Sequence, residues 1–374
     1  MIVLALIASF GASLARINYR IIFFLLLIVF TAVFCVMNAS KVIEDDWVWY
    51  TQHYALMQNY TFDQYLGARI GRITIKPNEP VYYAIANATY YFSGGSISAL
   101  AAVITSIAYF TTGFAMFRIG ESVFSDRGLP GNALLIMGCC LFAVTFTLVT
   151  QLVRQEMAMC VSLLSYSLIL RRQYITGLLV TVMAVATHQS VVIILFILYA
   201  PLVIIRMTES YRFVRPVIAI AFFTIAAGVG YYVSHGSMAD MGTKDDGAIA
   251  ASLIGGDAVL ALTLLGLTVW KGGRSEQGIL IVLSYALFYL TLLPMINLPL
   301  AALRLYFYMD VIRALAIMII FSTAFPARMP NAIRVFASAV LLIGALAYVN
   351  QRIERSPFDF GGSFKSYVFY PATV

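Results

Sequence analysis

The chain has 374 residues, 61% hydrophobic and only 11% charged, with a formal net charge of +7 and a mean hydropathy of +0.89. A soluble globular chain carries about 25% charged residues, so an ordinary soluble enzyme is excluded. The basic excess reads as loop charge that orients a membrane protein, not as a nucleic-acid-binding surface, and no nucleic-acid partner is expected. The apolar runs are continuous and do not alternate, which excludes an outer-membrane β-barrel and predicts an all-α polytopic membrane protein with no soluble domain of its own.

The first apolar stretch, Ile2 to Leu14, has no basic leader and no convincing cleavage site, so it reads as a short span and not as a signal peptide. Further spans are predicted over 20–38, 98–117, 132–150, 154–170, 215–234, 256–271, 278–297, 304–325 and 332–349. Residues 80–97 read as a span or as an interfacial segment, and 174–206 as one long helix or two short ones broken near His188. Loop charge chooses between these frames. If 80–97 does not cross and 174–206 crosses twice, one side collects Arg16/Arg20, Arg118/Arg127, Arg171/Arg172, Arg206/Arg212/Arg215, Lys271/Arg274 and Arg328/Arg334. The competing frame scatters them. The favoured frame gives about twelve crossings, with both termini outside. A single transmembrane domain, 1–374, is expected, with long outer segments at 40–97, 235–255 and from Asn350 onward. The four cysteines lie inside apolar runs without metal-ligand spacing to a histidine and read as small core residues.

In this frame the unusual polar residues gather at the outer face: Asp45, Asp46, Glu79, Arg154, Gln155, Glu156, His188 and Arg304. The stretch EDDWVWYTQHYALMQNY, with KPNEPVYYAIANATYYF after it, is rich in Asp, Trp, Tyr and Asn. Such a surface stacks on sugar rings and bonds their hydroxyls, which makes Asp45, Trp47, Tyr50 and Tyr82 candidate sugar-binding residues. An interfacial aromatic belt explains the same composition. Adjacent Asp45 and Asp46 are a weak metal signal, and no metal is expected.

Arg154 opens a helix in TLVTQLVRQEMAMC, with Gln151 one turn earlier and Gln155 beside it. An ionisable group at membrane depth costs a few kcal/mol, which points to a protein-lined or wet cavity. A guanidinium grips phosphate oxygens in two places, and a helix N-terminus adds free N–H groups. An interfacial anchor is the structural alternative. His188, between Thr187 and Gln189-Ser190, suits a base or a cationic phosphate partner. Arg304, at the mouth of LPLAALRLYFYMDVIRAL, is a second phosphate candidate, whereas Asp310 and Arg313 are spaced to pair with each other. No P-loop, dinucleotide turn, Ser-His-Asp order or internal repeat is visible.

The stretch RQEMAMCVSLLSYSLILRRQYITGLLVTVMAVATHQSVVIIL resembles the core of the EpsG family, in the wider group of Wzy-type polysaccharide polymerases. That core pairs Arg-Gln at a helix start with His-x-Ser about thirty residues on. Here these are Arg154-Gln155 and His188-Gln189-Ser190. The acidic-aromatic loop (Asp45, Asp46, Trp47, Tyr50, Tyr54), Glu79-Pro80, and Arg304 with Tyr306 and Phe307 also match. Thr187 stands where the family usually has an aromatic residue.

The resemblance implies a bundle similar to the GT-C type, a catalytic cavity under periplasmic loops, and a place in the bacterial inner membrane. The implied reaction is glycosyl transfer between undecaprenyl-diphosphate-linked oligosaccharides as donor and acceptor. No cofactor is needed, and a chain-length-regulating membrane protein is a candidate partner. Arg154, Gln155 and Arg304 would hold the diphosphate, and His188, Glu79 or Asp46 would act as base. The alternatives are a ligase-like glycan transferase of the same fold and a lipid-linked oligosaccharide flippase.

Overall fold

A computed structural model describes residues 2–15, 17–66, 69–70, 73–74, 78–124, 131–207, 213–235, 251–270, 276–295, 298–326 and 329–369. Its helices are α1 (Ile2–Leu14), α2 (Tyr19–Ala39), α3 (Asp46–Leu56), α4 (Phe62–Tyr65), α5 (Pro80–Ser93), α6 (Ile97–Val123), α7 (Gly131–Ala143), α8 (Phe146–Gln151) and α9 (Val153–Leu170). They continue with α10 (Tyr174–Thr187), α11 (Val192–Leu202), α12 (Arg215–His235), α13 (Ala251–Trp270), α14 (Glu276–Leu292), α15 (Pro299–Tyr306), α16 (Met309–Ala324), α17 (Asn331–Glu354) and α18 (Phe364–Phe369). A two-residue antiparallel ladder, Arg69–Ile70 with Ile73–Thr74, interrupts this all-helical architecture.

Among the described residues, eight helices are long and apolar enough to cross a membrane, and three shorter apolar ones accompany them. The difference from about twelve expected crossings lies in particular elements. The expected span 132–150 is two helices, α7 and α8, because Thr145 leaves the helical conformation (φ −85°, ψ 106°). Its N–H is captured by Glu156 Oε1 at 3.1 Å. In α9, Arg154, Gln155 and Glu156 make the first turn polar. The segment 80–97 contributes the 14-residue α5, begun by Pro80, whose fixed φ and missing N–H suit a first helical position. The segment 174–206 is broken at His188, which is extended (φ −160°, ψ 120°) before a 3-10 turn over Gln189–Val191. Of the expected outer loop 235–255, residues 236–250 lie outside the described residues.

The chain forms two compact units, Met1–Val192 with Ala327–Val374, and Ile193–Pro326. In the first, glycine lets helix backbones close up, as in membrane bundles. A Cβ on Gly138 of α7 would lie 2.5 Å from Leu341 of α17, and one on Gly113 of α6 would lie 2.6 Å from Leu27 of α2. Buried Asn38 clamps α2 to α6 by donating to the Ala101 carbonyl and Thr105 Oγ1 at 3.2 and 2.9 Å.

The helix ends of this unit are sorted. One end gathers Arg20, Arg171 and Tyr19 around Glu121, at 2.6, 3.1 and 3.3 Å. Arg118 reaches Gln173 there. Arg334 with Asn132, and Asn331 with the Ser13 carbonyl, join helix ends adjacent in the chain to these. The opposite end, a helix length of about 40 Å away along α6, holds Lys41, Glu79, Arg154 and the 359–367 segment, whose Asp359 N–H donates to Glu44 Oε1 at 2.6 Å.

In the second unit, α12 meets α14 at Gly230, where a Cβ would lie 2.3 Å from the Thr291 carbonyl oxygen. Ser284 of α14 donates to the Ile197 carbonyl of α11 at 3.2 Å. Arg206 pairs with Glu276 at 2.8 Å.

Candidate active site

Glu79 is the hub of the first unit's polar end. It is 1% exposed, immediately before α5, yet carries a carboxylate. Burial of a charge demands partners, and it has several. Arg154 Nη1, on the first turn of α9, donates to Glu79 Oε2 at 2.5 Å. His188 Nδ1, in the break after α10, donates to Oε1 at 2.9 Å. The Gln189 backbone N–H donates to the same oxygen at 3.4 Å. The His188 main chain is itself pinned, its N–H to the Ala184 carbonyl and its carbonyl to the Val191 N–H. The imidazole orientation is therefore set from both sides, and Nδ1 is committed to Glu79.

Arg154 is partly open, with 23% of its side chain exposed, and His188 is similar at 19%. Arg154 Nη1 also donates to the Tyr83 hydroxyl at 3.3 Å, and Tyr50 interacts with the same guanidinium. Arg154 Nε is buried without a partner.

Aromatic rings from α3 and α5 wall this cluster. Tyr50 meets Trp47 at 5.9 Å and Tyr82 at 5.4 Å between centroids, and Tyr83 meets Tyr82 and Tyr65. Lys41 Nζ sits 3.5 Å from the Trp47 ring centroid and donates to the Thr150 carbonyl. That ring face is therefore occupied by protein. Burial lowers the Lys41 ammonium to about 6, although Glu44 opposes the shift. His53, on α3, is buried beside Tyr65 and Tyr83. Burial, then the Arg154 charge, holds its imidazole down to about 4, so it is neutral at pH 7.

The sequence candidates therefore fall into groups. Glu79, Arg154 and His188 are bonded together, with Tyr50 and Tyr82 in the wall beside them. Gln155 is buried on the same first turn of α9, about 100° round the helix from Arg154. Asp45 is the exposed cap of α3 at φ 46°, and Asp46, its first residue, acts on Tyr50 one turn on. Arg304 is exposed in the second unit. Sequence reasoning missed Tyr83 and His53. The signal for Tyr83 was its pairing with Tyr82 one turn after Glu79, and for His53 its i+3 spacing from Tyr50.

The second unit has a polar cluster of its own. Asp257 of α13 accepts Arg313 of α16 through both oxygens, one at 2.9 Å. It also accepts Tyr306 at 2.5 Å and Tyr289 at 3.3 Å. Asp310 pairs with Arg313 at i+3, as its spacing suggested. Among the described residues, no group of three or more His, Cys, Asp or Glu is placed to hold a metal ion.

These features define a multi-pass helical membrane protein with an Arg–Glu–His constellation at one end of its first unit. The chain belongs to the EpsG family, whose family model matches residues 21–367. Membership points to a polysaccharide polymerase, in general terms a glycosyltransferase acting at the bilayer. Neither the curated proteins nor the solved structures gave a match.

Proposed function

We propose that the chain polymerises undecaprenyl-diphosphate-linked oligosaccharide repeats by glycosyl transfer at the periplasmic face of the inner membrane, within a GT-C-like bundle. The observation that carries this reading is Glu79 bridging Arg154 and His188. Because Nδ1 of His188 donates to Glu79, its Nε2 is the basic nitrogen. That nitrogen takes the proton of the acceptor hydroxyl as its oxygen bonds to the donor's anomeric carbon. The bond from that carbon to the lipid diphosphate breaks, and the diphosphate leaves with the electron pair. Before transfer the Arg–Glu–His set sums to zero charge; afterwards it is positive. Positive charge thus develops beside the departing anion, where electrostatic stabilisation is worth most. Glu79 is the positioning residue and Arg154 the diphosphate ligand, and Gln155, on the same helix turn, is proposed to assist it. Asp46 is the weaker candidate for base, and Asp45, Trp47, Tyr50 and Tyr82 remain the proposed sugar-binding set, of which Tyr50 lies nearest to Arg154. The sorted helix ends support the periplasmic orientation, because the Arg20, Arg118 and Arg171 end is the one the positive-inside rule assigns to the cytoplasm.

Arg154→Ala and His188→Ala, purified and supplied with lipid-linked single repeats, should each lose about 10²–10⁴-fold in polymer formation while inserting and folding normally. Long chains made by both variants would refute the assignment.

A further inference from the structure

Three buried polar atoms beside Arg154 have no partner in addition to Arg154 Nε. They are Gln151 Nε2, Gln151 Oε1 and His53 Nδ1. Gln151 is 5% exposed and His53 8%. Gln151 ends α8, across the bend at Leu152 from Arg154 (φ −92°, ψ 50°), and follows Thr150, whose carbonyl takes Lys41. His53 sits on the α3 side of the same end, against Tyr83, whose hydroxyl accepts from Arg154. Buried polar groups in native proteins are nearly always bonded, and each exception asks for a ligand or a water.

The chemistry of the unpaired set selects the ligand. Gln151 Oε1 only accepts, Gln151 Nε2 and Arg154 Nε only donate, and a neutral imidazole nitrogen does one or the other. A phosphate oxygen satisfies the donors and leaves Gln151 Oε1 bare. A hydroxyl group does both. We infer that Gln151 and His53 form a subsite for glycan hydroxyls beside the Arg154 guanidinium, with the Tyr83 ring between His53 and Arg154. This rests on the glycosyl-transfer reading and adds residues that hold the sugar, distinct from those that hold the diphosphate.

The test separates a binding role from a structural one by reading stability and KM together. Purified Gln151→Leu, with wild type alongside, is followed by thermal unfolding and by initial rates on lipid-linked repeats. An amide without internal partners is a liability to the free protein, so Gln151→Leu should unfold at the wild-type temperature or above it. KM for the lipid-linked repeat should rise about tenfold, the worth of one hydrogen bond, with kcat nearly unchanged. His53→Gln, which restores a donor and an acceptor, should keep KM closer to wild type than His53→Phe. Inhibition by inorganic pyrophosphate should be unaltered in Gln151→Leu and weakened in Arg154→Ala. A KM unchanged in Gln151→Leu, as a trapped water would give, overturns the subsite. So does a clear loss of stability. Full polymerisation by Arg154→Ala and His188→Ala would instead sink the glycosyl-transfer reading, so the two failures are distinguishable.

Discussion

Glu79 and Asp257 are each 1% exposed, and each meets an arginine. Their surroundings differ. Asp257 is closed: Arg313 grips both its oxygens, two tyrosine hydroxyls complete its shell, and Asp310 takes the arginine's remaining side. Glu79 is open: Arg154 and His188 touch it on different oxygens and remain partly exposed, and unpaired atoms surround them. A saturated buried ion cluster ties helices together, here α13, α14 and α16. One whose arginine and histidine stay partly exposed keeps them within reach of something that arrives from outside. The exposure of the cationic partners, and not the burial of the carboxylate, separates the two: 23% for Arg154 and 19% for His188 against 12% for Arg313.

The contrast can be broken most sharply in the closed cluster. Arg313→Ala leaves Asp257 and Asp310 buried without their cation, at a cost of about 3–5 kcal/mol. It should be visible as a large fall in unfolding temperature or as loss of folded protein. Replacing Asp257 with Leu and Arg313 with Met together should recover much of that loss, since an apolar pair removes the unpaired charge. A folded Arg313→Ala of wild-type stability would erase the distinction.

Isosteric neutralisation sharpens it. Glu79→Gln keeps the shape and a hydrogen-bonding group next to His188, so stability should change little, while kcat should fall about 10²-fold. Asp257→Asn should do the reverse, lowering the unfolding temperature more than the rate. Equal effects of the two changes on both readouts would contradict it.

A pH dependence also distinguishes the open end. His53 titrates near 6.5 when unfolded and at about 4 when folded. Between those values the unfolded chain binds the extra proton, so stability rises with pH through that window. The contribution is intact above pH 6.5 and is lost as pH falls toward 4, at no more than about 1.4 kcal/mol per pH unit. Comparing acid unfolding of wild type with His53→Phe isolates it; parallel curves would show that the ring is not held neutral by its surroundings.

Much of the helical layout is written in hydropathy, because a span needs an apolar run of fixed length and these runs are long. What hydropathy does not carry is interruption. The break at Val144–Thr145 depends on Glu156, eleven residues on, taking one backbone N–H. The break at His188 was legible because polar residues replace apolar ones there. At the site, Arg154 and His188 stood out as polar groups in apolar runs and Glu79 as part of the Glu79-Pro80 match, but their assembly through one carboxylate is tertiary. Asp257 was invisible for a related reason. It stands at the very start of the expected span 256–271, beside an acidic stretch, whereas the helix begins at Ala251 and buries it.

The sorted ends of the first unit bear on how any defect in living cells should be interpreted. The arginines gathered round Glu121 and the residues gathered round Glu79 lie at opposite tips of the same helices. In the proposed orientation, charge at the first tip is what an insertion machinery would read, and groups at the second are what a substrate would meet. On that proposal, delivery and catalysis are encoded in separate places on shared rods. The proposal expects a change at Arg20 or Arg171 that abolishes polymer in a cell to report a misaddressed protein and not a damaged catalyst. Only the same variant, purified and given substrate on both sides of its membrane, tells a wrong postal code from a broken machine.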